Sequence, residues 1–265
     1  MEAFNVLDQA AIEHKPREFF ALFSGGHDSL TATAIAFKWA EKRGVKMTAA
    51  HIDTTIGIPE TQEFVRDTCE REGWPLRIES GGRSYESLVM EFGFPGPGQH
   101  GLMYQRLKER ALRKLVRESK QEWKDRVMFV TGVRSQESVR RMKHVERIQR
   151  DGAVVWAAPI HDWSAVDCSR FIEAEGLPRN PVKDKLEMSG ECLCGSFAHE
   201  GEMKELEGWF PDVAQRLHAL EQRVEAKGLR ACVWGHGGKL LNVHRDQMKF
   251  EVGPLCQSCE LREAA

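Results

Sequence analysis

The sequence has no long apolar run and almost no net charge, and each absence argues against a class of protein. No stretch approaches the ~18 consecutive apolar residues typical of a membrane-spanning helix. A formal charge of −2 over 265 residues gives no overall attraction to nucleic acid or to an anionic membrane. Residues 1–15 are of mixed polarity and lack the apolar stretch of a signal peptide. We therefore expect a cytoplasmic protein with no membrane partner.

Cysteine is scarce and its count is odd, so a disulfide framework is not expected. The 7 cysteines are more typical of free thiols or metal ligands in a cytoplasmic chain of this size. Four of them form two closely spaced pairs, Cys192-Leu193-Cys194 and Cys256-Gln257-Ser258-Cys259. Four thiolates suit either a [4Fe–4S] cluster or a structural Zn²⁺ ion.

Apolar runs of strand length alternate with amphipathic helical patterns over residues 1–180. The runs predict strands over 17–23, 45–52, 76–78, 126–131 and 153–159, and the patterns predict helices over 1–15, 29–43, 60–72, 103–119 and 164–175. This alternation predicts an α/β fold with a doubly wound, mostly parallel sheet. It ends near Asn180-Pro181, and one helix is predicted over 202–227. We expect an α/β domain over 1–180 and a helical, cysteine-containing C-terminal appendage over 181–265.

The connection between the first predicted strand and the first long helix reads Ser24-Gly25-Gly26-His27-Asp28-Ser29. Two glycines allow the backbone to approach an anion closely, and the first N–H groups of the helix then point at its negative charge. The helix dipole contributes only ~0.3–1 kcal/mol, so several N–H donors must act together. The pattern predicts a phosphate cradle, which differs from the G-x-x-x-x-G-K-[ST] loop because no lysine follows the glycines.

Polar side chains also follow two other predicted strands. Asp53 and Thr54 end the second strand, and Gly132 and Arg134 follow a later one. Because ligands of a parallel sheet bind beyond the carboxyl ends of its strands, we expect these residues and Ser24 to share one site. Asp53 suits a ribose hydroxyl or Mg²⁺, and an Asp or Thr at this position also suits the capping of the next turn.

The same segments supply the candidate catalytic residues, which are Asp28, Ser29 and Arg134. The Arg134 guanidinium can hold an α-phosphate or a pyrophosphate through two hydrogen bonds. Asp28 can serve a metal ion or brace the loop, and the Ser29 hydroxyl points at the bound anion. His27 is interpreted as incidental, or as a contact to the β- or γ-phosphate.

Four motifs carry a family resemblance. They are residues 24–29, His51-Ile52-Asp53-Thr54 with Pro59-Glu60-Thr61, residues 132–138 with Arg140-Arg141, and Pro159-Ile160-His161-Asp162-Trp163. In this order, over roughly residues 17–197, the chain resembles the phosphoadenylyl-sulfate (PAPS) reductase family of the PP-loop ATP pyrophosphatases, an adenine nucleotide alpha hydrolase-like superfamily. The resemblance implies a Rossmann-like fold of the HUP type, ATP and Mg²⁺ as cofactors, and an adenine beside the second strand near Thr54. It also favours a [4Fe–4S] cluster over Zn²⁺ at the four paired cysteines.

The resemblance implies ATP-dependent chemistry more than sulfonucleotide reduction. Sulfonucleotide reductases carry an E-C-G-[IL]-H motif and adenylyl-sulfate reductases an adjacent C-C pair, and this sequence has neither. We therefore expect an enzyme that splits ATP into AMP and pyrophosphate and so activates an acceptor for sulfur transfer. The expected partners are a nucleic acid acceptor, a cysteine desulfurase or other sulfur donor, and a second copy of the chain in a homo-oligomer. The alternatives are a sulfonucleotide reductase and a non-catalytic, nucleotide-sensing adaptor.

Overall fold

The computed structural model describes residues 2–136 and 146–235, which form a six-stranded sheet with helices on both faces. The strands are β1 (Glu18–Leu22), β2 (Thr48–Asp53), β3 (Leu76–Ser80), β4 (Val127–Val130), β5 (Ile148–Asp151) and β6 (Val154–Ala157). Their order in the sheet is β3-β2-β1-β4-β6-β5. Every pairing is parallel except that of β5 with β6. The predicted doubly wound, mostly parallel sheet is confirmed.

Helices cover both faces of this sheet and one of its ends. They span Glu2–His14, His27–Arg43, Pro59–Glu72, Tyr85–Phe92, His100–Tyr104, Arg110–Ser119, Ala165–Ala174, Pro181–Leu186, Glu202–Trp209 and Pro211–Ala226. The second and third of these helices end at Gly44 and Gly73, which take left-handed φ values of 64° and 68°. Among the described residues, no helix combines the length and the apolar composition needed to cross a bilayer.

One helical prediction needs correction, and another gains a detail. The segment 202–227 is not one helix, because it breaks at Phe210 and restarts with Pro211 at the first helical position. Proline lacks an N–H and is therefore accepted at the start of a helix but not within it. The segment 103–119 contains a π-helical turn at Gln105–Glu109, preceded by a 3₁₀ turn at Pro97–Gln99. The edge strand β5 was missed, although the Asp151-Gly152 pair at its end is a common hairpin signal.

Alternate residues of the strands pack on opposite faces of the sheet. Ala21 packs with Leu7, Ile35 and Trp39 on one face. Phe20 and its neighbours on β1, β2 and β4 pack on the other face against the helix Arg110–Ser119. Both faces are therefore buried, as the near-continuous apolar runs of the sequence predict for a parallel sheet.

The helices after residue 180 share a core with earlier parts of the chain. Leu206, Val213 and Leu217 belong to the same buried cluster as Ile58 and Leu88. The described part of the C-terminal segment is therefore packed onto the α/β unit through apolar contact. The division of the chain into two domains between residues 180 and 181 stays a prediction.

The order of the strands changes direction at β1. From β1 the chain moves outward to β2 and β3, and it then returns to place β4 on the other side of β1. A crevice forms beyond the carboxyl ends of two such neighbouring strands, and it is the usual ligand site of an open α/β sheet.

Candidate functional site

The loop predicted to be a phosphate cradle lies at this crevice. β1 ends at Leu22, and the helix His27–Arg43 begins after Gly26, which offers no capping side chain. The hydroxyls of Ser24 and Ser29 are 2.9 Å apart, and Ser29 also donates to the carbonyl of Gly26 at 2.9 Å. The first N–H groups of a helix have no intrahelical acceptor. In this loop they are left as donors to an anion, which the positive end of the helix dipole also favours.

Two glycines allow the loop to fit tightly against its neighbours. Gly25 has a left-handed φ of +86°, and a Cβ there would lie 2.8 Å from Thr61 Cγ2. A Cβ on Gly132 would lie 2.5 Å from the carbonyl carbon of Asp28 and 2.6 Å from the amide nitrogen of Ser29. The segment after β4 therefore touches the first turn of the helix, which places Gly132 against the cradle.

Asp28 and Arg134 form an ion pair beside the cradle. Arg134 Nε lies 3.0 Å from Asp28 Oδ2, and only 7% of the arginine side chain and 18% of the aspartate side chain are exposed. The pair braces the first turn of the helix against the segment after β4. Burial, with a smaller contribution from Asp28, raises the pKa of the nearby Cys168 thiol to about 12. Burial alone raises the pKa of Cys69 to about 12, so both thiols are neutral near pH 7.

Asp53 and Thr54 lie in hydrogen bonds within the protein. Asp53 Oδ1 accepts from the amide of Thr55 at 2.7 Å, which is the turn-capping alternative noted from the sequence. The buried hydroxyl of Thr54 donates to the carbonyl of Glu191 at 2.6 Å. Thr54 therefore links the end of β2 to the segment that carries the first cysteine pair.

The cradle and this cysteine pair line the same cavity, whose volume is about 300 Å³. That volume lies at the lower end of the range for small-molecule sites. Of the predicted site residues, the lining includes Ser24, Gly26, His27, Asp28, Ser29, Gly132, Arg134, Cys192 and Cys194. Gly25, Asp53 and Thr54 do not belong to the lining. The sequence analysis assigned the cradle residues and the cysteine pair to separate domains, and the fold brings them together in one cavity.

Hydrogen bonds from distant residues hold the cysteine segment in place. The hydroxyl of Tyr85 donates to the carbonyl of Cys194 at 2.8 Å, and the indole of Trp234 donates to the carbonyl of Leu193 at 2.8 Å. A hydrogen bond from Cys192 lowers the pKa of Cys194, and His100 adds to this effect.

Two of the four predicted metal ligands lie among the described residues. Cys192 and Cys194 are free thiols on the cavity wall, and thiolates are the ligands that iron–sulfur clusters and structural zinc prefer. Within residues 2–136 and 146–235, no group of three or more His, Cys, Asp or Glu side chains could hold a metal ion. The other predicted ligands, Cys256 and Cys259, lie outside the described residues, as do Arg140 and Arg141.

A buried ion pair in the same cavity escaped the sequence analysis. Lys108 Nζ lies 2.7 Å from Glu191 Oε2, and the two side chains are 7% and 8% exposed. Lys108 belongs to the π-helical turn Gln105–Glu109, and such turns occur frequently at functional sites. No local sequence signal pairs residues that are so far apart in the chain.

Asn180 was also missed as a site residue, although the dipeptide Asn180-Pro181 has the sequence signature of a helix start. Its fully buried amide donates to the carbonyls of Gly25 at 3.0 Å and Ser189 at 3.2 Å, and its oxygen accepts from the amide of Val182 at 2.9 Å. Asn180 thus ties the cradle to the segment that carries Ser189.

We expect Asn180→Ala to lower the free energy of unfolding by about 2–4 kcal/mol, because it breaks three buried hydrogen bonds, one of which caps a helix. Urea unfolding of the full chain measures this loss. Ser164→Ala is the control, since Ser164 caps the helix Ala165–Ala174 near the surface and its loss costs about 1 kcal/mol. An equal loss of unfolding free energy in the two variants would show that the contacts of Asn180 with the cradle contribute nothing to stability.

Known proteins share this fold. A phosphoadenylyl-sulfate (PAPS) reductase from Candida auris, solved as a phosphate complex, aligns with 69% of this chain and 84% of its own at a TM-score of 0.50 and 17% identity. The FMN adenylyltransferase of Candida glabrata, solved with FAD and inorganic pyrophosphate, aligns with 69% of this chain and 60% of its own at a TM-score of 0.51 and 13% identity. The U34-tRNA thiolase NcsA of Methanococcus maripaludis, solved with its [4Fe-4S] cluster, aligns with 84% of this chain and 78% of its own at a TM-score of 0.48 and 12% identity.

At such low identities, the likeness to the reductase and the adenylyltransferase shows similarity of fold alone. No curated protein matches the sequence. The family comparison is more specific. The sequence model of the family described as the phosphoadenosine phosphosulfate reductase domain matches residues 18–188. These residues include the sheet, the cradle and Asn180. That match covers more than half of the chain, and the fold agrees with it. The chain belongs to the phosphoadenosine phosphosulfate reductase domain family.

Proposed function

We propose that this protein is an ATP pyrophosphatase that transfers AMP to an acceptor and so prepares the acceptor for sulfur transfer. The observation that carries the proposal is the single cavity lined by both the phosphate cradle and the pair Cys192 and Cys194. A nucleotide held by the cradle has its phosphates in the same cavity as two thiols. This arrangement suits a reaction in which a phosphate ester is formed and then displaced by sulfur.

In the first step, an acceptor oxygen attacks the α-phosphorus of ATP. The bond between this phosphorus and the oxygen that bridges to the β-phosphate breaks, and pyrophosphate leaves with that oxygen. In the second step, a sulfur nucleophile attacks the acceptor carbon, and the carbon–oxygen bond breaks to release AMP. Neither step requires an oxidant or a reductant if the sulfur arrives as sulfide. If it arrives as a persulfide, its terminal sulfur attacks the carbon and leaves an acceptor–S–S–carrier disulfide. A second thiol then attacks the carrier sulfur and releases the acceptor thiolate, and an external dithiol must reduce the carrier disulfide that forms.

The protein contributes position and charge to the first step. The N–H groups after Gly26 donate to the phosphates, and the positive charge of Arg134 lies beside them with its orientation fixed by Asp28. Preorganised donors of this kind stabilise the charge that develops as pyrophosphate leaves. Mg²⁺ bound to the nucleotide supplies further charge neutralisation, and the Asp28 carboxylate is the group on this wall that suits it.

The cysteine pair contributes to the second step. Cys192 and Cys194 supply two of the thiolates for the [4Fe–4S] cluster that we propose, with Cys256 and Cys259 as the other two. When bound, such a cluster would have all four irons held by these thiolates, so it would fix the cysteine wall beside the activated acceptor and would not itself carry the transferred sulfur. A nucleic acid is the acceptor and a cysteine desulfurase the sulfur source in this proposal, and neither lies in the described structure.

Product analysis with labelled ATP tests the proposed function. With Mg²⁺ and a mixture of cellular RNA and DNA as acceptor, we expect AMP and pyrophosphate in equal amounts and sulfur incorporation that needs both cysteines. Cys192→Ser with Cys194→Ser is expected to abolish sulfur incorporation and bound iron while ATP still binds, because neither cysteine belongs to the cradle.

Two results would contradict this assignment. Formation of ADP and phosphate would exclude attack at the α-phosphorus. Release of sulfite from PAPS in the presence of thioredoxin, without cleavage of ATP, would establish the alternative activity of a sulfonucleotide reductase.

A further inference from the structure

Two groups on the cavity wall beside the cradle have no role in the chemistry described above. His27 is the first residue of the helix His27–Arg43, and Lys183 lies in the short helix Pro181–Leu186. Both side chains line the cavity. They come from segments far apart in the sequence, which the fold places at the same end of the cavity.

The segment that carries Lys183 packs directly on the cradle. Asn180 donates to the carbonyl of Gly25, and a Cβ on Gly26 would lie 3.5 Å from the Cβ of Ser189. Lys183 lies between these two points of contact along the chain. It is half-buried, and its ammonium donates to the carbonyl of Glu187. The acceptor is a backbone carbonyl without formal charge, so an anion in the cavity would compete with it for the ammonium.

The surroundings of His27 favour a negatively charged ligand. Burial lowers the pKa of His27, and the positive charges of Arg179 and Lys183 lower it further, against smaller opposite effects of Asp184 and Asp28. His27 is therefore neutral near pH 7. Its Nε2 atom is buried and has no hydrogen-bond partner among the described residues. A buried polar atom without a partner costs free energy, and a bound ligand removes that cost.

We propose that His27 and Lys183 form a subsite for the two terminal phosphates of a nucleoside triphosphate. This inference rests on the proposed function. It adds a structural reason why the protein would bind a nucleoside triphosphate in preference to other nucleotides. The cradle holds the chain of phosphates, and Lys183 supplies a mobile positive charge at its outer end. The neutral imidazole of His27 donates one hydrogen bond to the same group. A nucleoside monophosphate or a sulfonucleotide has no pyrophosphate group to place there.

Binding of three ligands to three variants tests this subsite. Calorimetry with Mg²⁺ measures the affinities of the full chain for ATP, AMP and inorganic pyrophosphate. We expect Lys183→Ala and His27→Ala each to weaken ATP and pyrophosphate binding about tenfold, the size of one charge-assisted hydrogen bond. Binding of AMP is expected to change by less than about twofold, because AMP does not reach the subsite.

Lys185→Ala is the matched control. Lys185 lies on the same short helix, but its ammonium lies over the rings of Trp209 and Phe210, each 5.2 Å from the nitrogen. Its removal is expected to leave all three affinities unchanged. His27→Gln keeps a polar amide at position 27 and serves if His27→Ala does not fold.

The outcomes separate this inference from the proposed function. Equal weakening of AMP and ATP, or no effect of either variant, overturns the subsite whatever the reaction is. Selective loss of ATP and pyrophosphate binding supports the subsite even if the product analysis yields ADP. In that case the proposed reaction fails and the triphosphate specificity stands.

Discussion

Gly132→Ala is expected to weaken ATP binding at least tenfold. The added Cβ would lie 2.5 Å from the carbonyl carbon of Asp28, 2.6 Å from its oxygen and 2.6 Å from the amide nitrogen of Ser29. All three are backbone atoms, so no side chain can turn aside. The segment after β4 and the first turn of the helix must separate, and the cradle N–H groups then move away from the phosphates.

The same change is expected to lower the free energy of unfolding by about 1–3 kcal/mol, the usual cost of overpacking. Gly101→Ala is the matched control, since nothing lies within 4 Å of a Cβ at that position. Gly101 lies in the helix His100–Tyr104, where alanine is expected to stabilise the protein by roughly 0.5–1 kcal/mol.

Calorimetry gives the affinity of both glycine variants, and urea unfolding gives their stability. Circular dichroism establishes that Gly132→Ala keeps its secondary structure, so that a loss of affinity is not a loss of fold. Wild-type affinity in a folded Gly132→Ala protein would mean that the contact between β4 and the helix does not shape the cradle. The proposed position of the phosphates would then be wrong.

The sequence predicted the parts of the site that arise from local chemistry. An apolar strand followed by Ser24, two glycines and a helical pattern specifies a cradle without help from the rest of the chain. Strand ends likewise placed Gly132 and Arg134 at the cavity, because parallel strands present their carboxyl ends at one edge of the sheet. Helix ends at Gly44 and Gly73 follow from the freedom of glycine to adopt a left-handed φ.

The sequence did not predict the contacts that connect distant segments. Asn180 and Gly25, or Lys108 and Glu191, meet only after the sheet has formed and the chain has returned across it. Thr54 shows a different difficulty, because a threonine at a strand end suits a nucleotide contact and a structural hydrogen bond equally well. Its bond to the Glu191 carbonyl depends on a neighbour from a segment that the sequence assigned to another domain.

Lys108→Met is expected to lower the free energy of unfolding by about 3–5 kcal/mol, because it leaves the carboxylate of Glu191 buried without its charge partner. The two side chains are 7% and 8% exposed, and their charged atoms are 2.7 Å apart. Glu191→Leu is expected to be destabilising for the same reason, because it leaves the ammonium of Lys108 buried without its charge partner. The double variant Lys108→Met with Glu191→Leu removes both charges, and apolar groups then fill the space, so its loss is expected to be smaller than the sum of the single losses.

Urea unfolding of the wild type, the two single variants and the double variant forms a cycle that isolates the interaction between the two side chains. Arg113→Ala supplies the matched control, since Arg113 pairs with Glu109 on the same helical segment but is 74% exposed. Its loss of stability is expected to stay below ~1 kcal/mol, as for other surface pairs.

The buried pair of Lys108 and Glu191 joins the π-helical turn to the residue before Cys192, so its variants are also expected to loosen the cysteine segment. Additive losses in the cycle would show that the two charges do not interact, and the cavity wall would then owe its shape to apolar packing alone.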